Sequence, residues 1–314
     1  MRHYLLRRAI LAVAALWGLS LLAFGLIRIV PGDVLMARLE ESGTVTDLAA
    51  ARAALGLDRP FLVQYAAWVS GVLRGDLGVS FWSGRPVRHD LLAALPVSVE
   101  LAVLAMTLSV VIGLPLGVAA AARRGGPLDY AARLFSFGGL SVTHFWIATL
   151  VLLYGSIWLR WVPPLGYVPL HTSPAQNLEQ FLIPAAILGV HLSARSLRMV
   201  RSSLLEVLQD DYVRTAWAKG LAPRRVLWAH AVRNALIPIL TVLGSQFVYL
   251  LSGAVIIEDI FALSGVGRYV VDAITHRDYP AVQAAVLFTG LVVVLVNLLV
   301  DLAYAWIDPR IRYA

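Results

Sequence analysis

Few residues in this chain of 314 are of a type and spacing that could do covalent chemistry. Cysteine is absent, which removes a thiolate nucleophile, a thiolate metal site and any disulfide framework. The single lysine, Lys219, is followed by Gly220 and not by Ser or Thr, so the chain has no Walker A phosphate loop and any ATP hydrolysis must come from a separate subunit. There is no H-E-x-x-H, no G-x-S-x-G elbow and no group of carboxylates inside the apolar runs. His144 has no second His or carboxylate at metal-ligand spacing and is expected to be packed or hydrogen-bonded. Asp301 is the carboxylate most nearly inside an apolar run, and it is expected near a membrane face, paired with an Arg or a backbone group. An intramembrane hydrolase or metalloenzyme would have to rely on a pairing such as His191 with Asp301. The expectation is therefore a non-catalytic protein with no cofactor and no metal.

The residues best placed to meet a partner in water lie between Asp211 and Pro238, the basic and well-punctuated interlude of a largely apolar chain. Asp210 and Asp211 suit a helix N-terminus and Gly220 suits the left-handed residue that ends one, so a short helix is predicted from Asp211 to Lys219. Pro223 suits the first turn of a second helix. Tyr212, Val213, Ala216 and Trp217 fall on one apolar face of the short helix, which predicts a partner for that face.

The elements that must hold this interlude are membrane spans. Hydrophobic residues make up 59% of the chain and charged ones 14%, with mean hydropathy +0.76, too apolar for an ordinary soluble domain. Uncharged or nearly uncharged runs predict spans at Ala9–Ile27, Pro96–Ala122, Leu134–Leu159, Phe181–Ala194, Asn234–Ile257 and Ala281–Val300. The first exceeds a signal-peptide core and lacks a prompt small-residue cleavage site, so it is expected to stay as a helix. The fourth is short, and Arg195, Arg198 and Arg201 continue it as a stripe expected to face water. Gly113, Pro115 and Gly117 in the second predict close helix packing with a kink.

Between Pro31 and Leu95 the chain is mixed, with six basic against seven acidic residues, which suits the outer side. There Thr46 is expected to cap a helix running to Leu55, and Phe61, Tyr65, Trp68, Phe81 and Trp82 suggest segments lying along the interface. Of the 26 basic residues, sixteen fall on the inner side when both termini are placed inside, eight of them between Arg195 and Arg233. The net charge of +7 is thus a topology signal spread over short loops and does not point to nucleic acid.

The string D-Y-V-R-T-A-W-A-K-G (Asp211 to Gly220) resembles the cytoplasmic coupling loop of binding-protein-dependent ABC transporter permeases, in their dipeptide, oligopeptide and nickel branch. V-P-G-D (Val30 to Asp33), L-G-L-D-R-P (Leu55 to Pro60), R-G-D-L-G-V-S (Arg74 to Ser80) and N-L-L-V-D-L-A-Y-A-W-I-D-P-R (Asn297 to Arg310) resemble the same branch in the same order. Arg214 departs from the wider family motif but matches the branch. Trp217 departs from the branch, where Arg is usual, and Thr143 stands where the family usually has Pro before an aromatic pair.

The resemblance implies an all-α polytopic membrane protein with six transmembrane helices, the type I ABC importer permease fold, and cytoplasmic N and C termini. It implies an N-terminal helix plus extracytoplasmic segment over 1–95 and a permease core over 96–314, with the coupling loop at about 201–235. It also implies import of di- or oligopeptides across a bacterial inner membrane. The partners would be a second homologous permease subunit, two ATP-binding subunits, an extracytoplasmic solute-binding protein and the lipid bilayer. Its ATPase-coupling residues would be Asp211, Tyr212, Thr215, Ala216, Lys219, Gly220, Arg224 and Arg225. An ion-gradient-driven secondary transporter is the alternative, whose marks would be repeated halves with broken helices; no repeat is visible.

Overall fold

A computed structural model describes residues 2–29, 58–164, 166–252 and 254–307. The expected helix from Thr46 to Leu55, the V-P-G-D string and the closing Asp-Pro-Arg lie outside them. Helices account for nearly all of the ordered structure, and the only β-type pairing among the described residues is an isolated bridge between Val79 and Pro86. We number the helices α1 (Arg2–Ile29), α2 (Phe61–Leu73), α3 (Val87–Ala122), α4 (Pro127–Ser141), α5 (His144–Trp158), α6 (Pro174–Val207), α7 (Asp211–Ala218), α8 (Pro223–Leu251), α9 (Val255–Ile260), α10 (Val266–Thr275) and α11 (Tyr279–Ile307). Five of them, α1, α3, α6, α8 and α11, are long and apolar enough to cross a bilayer. The pair α4 and α5 makes a sixth span only if its 83° bend is counted as one crossing.

Three sequence expectations change here. The third span is not a continuous helix from Leu134 to Leu159: it starts earlier, at Pro127, and breaks at Val142 and Thr143. Val142 and Thr143 are both extended, with ψ of 125° and 136°, which stops the i to i−4 ladder without any proline. The fifth span ends at Leu251 and not at Ile257; Ile257 and Glu258, both fully buried, belong to the separate α9. The arginine stripe on α6 does not face water throughout. Arg195 and Arg198 are exposed, but Arg201 turns onto Asp129 in a bidentate pair, Nε to Oδ1 at 2.6 Å and Nη2 to Oδ2 at 2.9 Å. The Gly125 backbone N–H donates to the same carboxylate at 3.0 Å, so the turn before α4 is clasped to α6.

The chain divides into two compact units. One comprises Met1–Pro96 with Gly265–Val294, the other Val97–Ser264 with Leu295–Ala314. In the first, three of the aromatic residues expected along the interface, Phe61, Tyr65 and Trp68, pack on α1, and Trp82 stacks on His276. Phe24, 2% exposed, is ringed by Phe61, Tyr65 and Trp68 at 5.3–5.4 Å between centroids, and the Tyr65 and Ser20 hydroxyls meet at 2.7 Å. In the same unit, buried Asp278 accepts hydrogen bonds from the Ser80 hydroxyl and from the Phe81 N–H, fixing the 78–86 loop.

In the second unit, α3, α4, α5 and α8 pack around α6. Gly113 and Gly117 of α3 and Gly189 of α6 allow the two backbones to touch. A Cβ on Gly113 would stand 2.8 Å from Ser196 Cβ, one on Gly117 2.7 Å from Val200 Cβ, and one on Gly189 2.6 Å from Leu108 Cβ. This is the close packing expected of the second span. Across the same seam, Ser109, Ser196 and Gln246, none more than 3% exposed, bond to one another, and Gln246 Nε2 donates to the Leu192 carbonyl at 3.2 Å. A buried polar network on three helices satisfies its own groups and fixes their register. Between α5 and α6, the Tyr167 hydroxyl donates to Glu100 at 3.0 Å, and burial together with that carboxylate pushes its pKa up to about 12.

Candidate functional site

The short helix forms where the sequence placed it, one residue shorter at its end. Asp210, extended at ψ 145°, precedes α7, and Thr215 Oγ1 bonds back to the Asp211 carbonyl at 2.9 Å. Gly220 is left-handed at φ 72°. The Gly220 N–H donates to the Trp217 carbonyl at 2.9 Å and the Leu221 N–H to the Ala216 carbonyl at 3.4 Å, the paired closure of a Schellman motif. Leu221 completes the motif by packing on Ala216. Two residues later Pro223 starts α8 at its first turn, where a missing N–H costs nothing.

The apolar face divides in two. Val213 (0% exposed) and Ala216 (5%) pack against Val226, with Val207, Leu208 and Leu221 around them, so α7 is fixed at once to the end of α6 and the start of α8. Tyr212 and Trp217 point away, 40% and 46% exposed. Of the expected coupling residues, Asp211, Tyr212, Thr215, Lys219, Gly220, Arg224 and Arg225 are exposed and lie along one stretch of surface, whereas Ala216 is buried within the chain. Burying Ala216 closes the gap between α7 and α8 and leaves a partner nothing of it to touch.

Two features of the site had no sequence signal strong enough to single them out. Asn234 Nδ2 donates to the Tyr212 hydroxyl at 2.6 Å, tying the exposed ring to α8. Residues Val226–Val232 of α8 are wound as a π-helix, a loosened stretch directly beneath α7. Arg214 and Asp211, one helical turn apart, pair at 3.3 Å on the exposed surface, a contact worth little by itself. Among the described residues no group of three His, Cys, Asp or Glu could hold a metal ion.

The arrangement is a small helix gripped by two long ones, with an exposed aromatic and basic edge. Residues 113–313 match the model of the binding-protein-dependent transport system inner membrane component family, and residues 1–102 match its N-terminal membrane component. The chain belongs to this family.

Its relatives span its whole length. The permease is 42% identical to a probable peptide ABC transporter permease of Sinorhizobium fredii over 99% of both chains. It is 39% identical to a di/tripeptide transport system permease of Pseudomonas aeruginosa and 38% identical to a dipeptide transport system permease of Escherichia coli, covering 100% of this chain and 99% of each relative. Among solved structures, the inward-facing MetNI methionine ABC transporter matches with a TM-score of 0.53 at 16% identity, covering 69% of this chain and 96% of that one. An amino acid ABC transporter with histidines matches at 0.52 and 15%, covering 68% and 92%. The permease is thus a multi-pass inner-membrane component of an ABC importer with the importer-permease fold, not an ion-driven secondary transporter, and as a membrane component it is non-catalytic.

Proposed function

We propose that this permease carries di- or oligopeptides into the cytoplasm, receiving them from an extracytoplasmic solute-binding protein and working beside a second homologous permease on two ATP-binding subunits. The observation that carries the substrate class is near-40% identity, end to end, to three proteins named as peptide permeases. In this scheme both termini and α7 face the cytoplasm, residues 1–95 supply the first helix and an extracytoplasmic segment, and 96–314 form the permease core. Tyr212, Thr215, Lys219, Arg224 and Arg225 meet the ATPase, and Trp217 joins them because it shares their exposed edge. Asp211 and Gly220 set the ends of the lever, and Ala216 passes its displacement inward through Val213 and Val226. Because α7 is packed to α6 and α8 together, a push on its outer edge moves both helices.

Reconstitution tests this. Proteoliposomes holding the permease pair, the ATPases and the binding protein are expected to take up a dipeptide only with ATP and binding protein present, and a label on residue 217 is expected to react only from the cytoplasmic side. Uptake by this chain alone, driven by an ion gradient, or labelling of residue 217 from outside, would overturn the proposal.

A further inference from the structure

We infer that His144, His191 and Tyr249 form a subsite inside the permease for an anionic group of the passing solute, above all a carboxylate. The inference rests on the importer function proposed above. Three helices supply the three side chains. His144 is the first residue of α5, directly after the break; His191 lies midway along α6; Tyr249 is near the end of α8. The two imidazole centroids are 5.0 Å apart, and the Tyr249 hydroxyl is 3.4 Å from His144 Nε2. Nothing in the sequence spacing joins them, since they are separated by 47 and 58 residues (144 to 191, 191 to 249).

The network of Ser109, Ser196 and Gln246 shows what a purely structural polar cluster looks like here: closed and at most 3% exposed. The His144 group is different. Both imidazoles are only half-buried and Tyr249 is 43% exposed, so the cluster opens on a surface of the second unit. Polar side chains in apolar spans that are not enclosed by their own chain mark solute pathways, because facing hydrocarbon would be costly.

The chemistry of the opening selects the ligand. Two imidazoles and a phenol offer N–H and O–H donors, one of them shared between Tyr249 and His144, and among the described residues no third His, Cys, Asp or Glu joins the imidazoles to make a metal site. The same spot is the N-terminus of the 15-residue α5, with no side-chain cap from Thr143, and a helix N-terminus favours negative charge. Every unmodified peptide carries one carboxylate at its end.

The test uses the complete reconstituted transporter, with the binding protein loaded with alanyl-alanine, and reads dipeptide imported per ATP hydrolysed. His191→Leu is expected to lower that ratio about tenfold, the scale of one hydrogen bond to a charged group. His191→Asp is expected to fall below His191→Leu, and His191→Lys to stand above it. Tyr249→Phe, which keeps the ring and the packing, is expected to lose about threefold. The subsite is overturned if His191→Leu leaves the ratio unchanged, if uptake and hydrolysis fall together at a fixed ratio, or if His191→Asp equals or exceeds His191→Leu. Absence of ATP-driven dipeptide uptake in the unsubstituted transporter would instead strike the importer function on which the subsite depends.

Discussion

At Gly117, on the seam between α3 and α6, an added Cβ would stand 2.7 Å from Val200 and 2.9 Å from the Leu197 carbonyl; at Gly220, behind the short helix α7, it would meet nothing within 4 Å. The first glycine has an ordinary backbone and no space. The second has space and a φ of 72°, which side chains with a Cβ adopt only at a cost. One region of the permease is thus held by proximity and the other by backbone direction, and the two should fail differently. The seam has no slack because backbone meets backbone. The short helix has slack on its outer edge and none in its closing turn.

Substitutions can separate these behaviours. The largest effect is expected at the seam: Gly117→Val should destabilise the folded protein by about 3 kcal/mol through overpacking, read as a lowered thermal midpoint and loss of monodisperse protein in detergent. Next, Gly220→Val should cost about 1–2 kcal/mol by backbone strain while leaving membrane insertion intact and abolishing coupled transport, whereas Gly220→Asn should transport nearly normally because Asn tolerates the left-handed region. If Gly220→Asn failed as completely as Gly220→Val, absence of a side chain would matter there, and the contrast with the seam would be lost. Val213→Ala removes two carbons from the fully buried side of α7 and should cost about 1.5 kcal/mol, visible as faster proteolytic nicking between residues 208 and 222. The smallest effect is expected from Gln246→Leu. It leaves Ser109 and Ser196 bonded to each other and should change the thermal midpoint by no more than about 1 kcal/mol equivalent.

Legibility in the sequence follows the range of the interaction that decides each feature. The ends of α7 were readable because local residues set them: an Asp pair before, Gly220 after, Pro223 two residues beyond the closing turn. The membrane runs were readable because hydrocarbon excludes charge over some twenty residues at a time. The break in the third span was not. The run from Leu134 to Leu159 is uncharged, and Thr143, where the family usually has Pro, gives no local stop signal; the bend is visible only in the extended backbone of Val142 and Thr143. The clasp of Arg201 on Asp129 crosses 72 residues, and nothing near either residue distinguishes it from a solvated charge. On α7, periodicity put Tyr212, Val213, Ala216 and Trp217 on one apolar face, whereas the fold buries Val213 and Ala216 and leaves Tyr212 and Trp217 exposed. Which of them look inward depends on where Val226 and Leu208 arrive, and that is a tertiary fact.

The π-wound stretch from Val226 to Val232 also sets a phase. A π-turn holds one residue more than an α-turn, so deleting a single residue there would let ordinary winding resume with everything after it nearly in phase, whereas rewinding the same residues as α-helix would rotate everything after them by about 100° relative to α7. Asn234 would then swing away from Tyr212, and Gln246 away from Ser109 and Ser196. The wider turn stows one surplus residue, and the two ends of α8 stay in step only while it remains stowed.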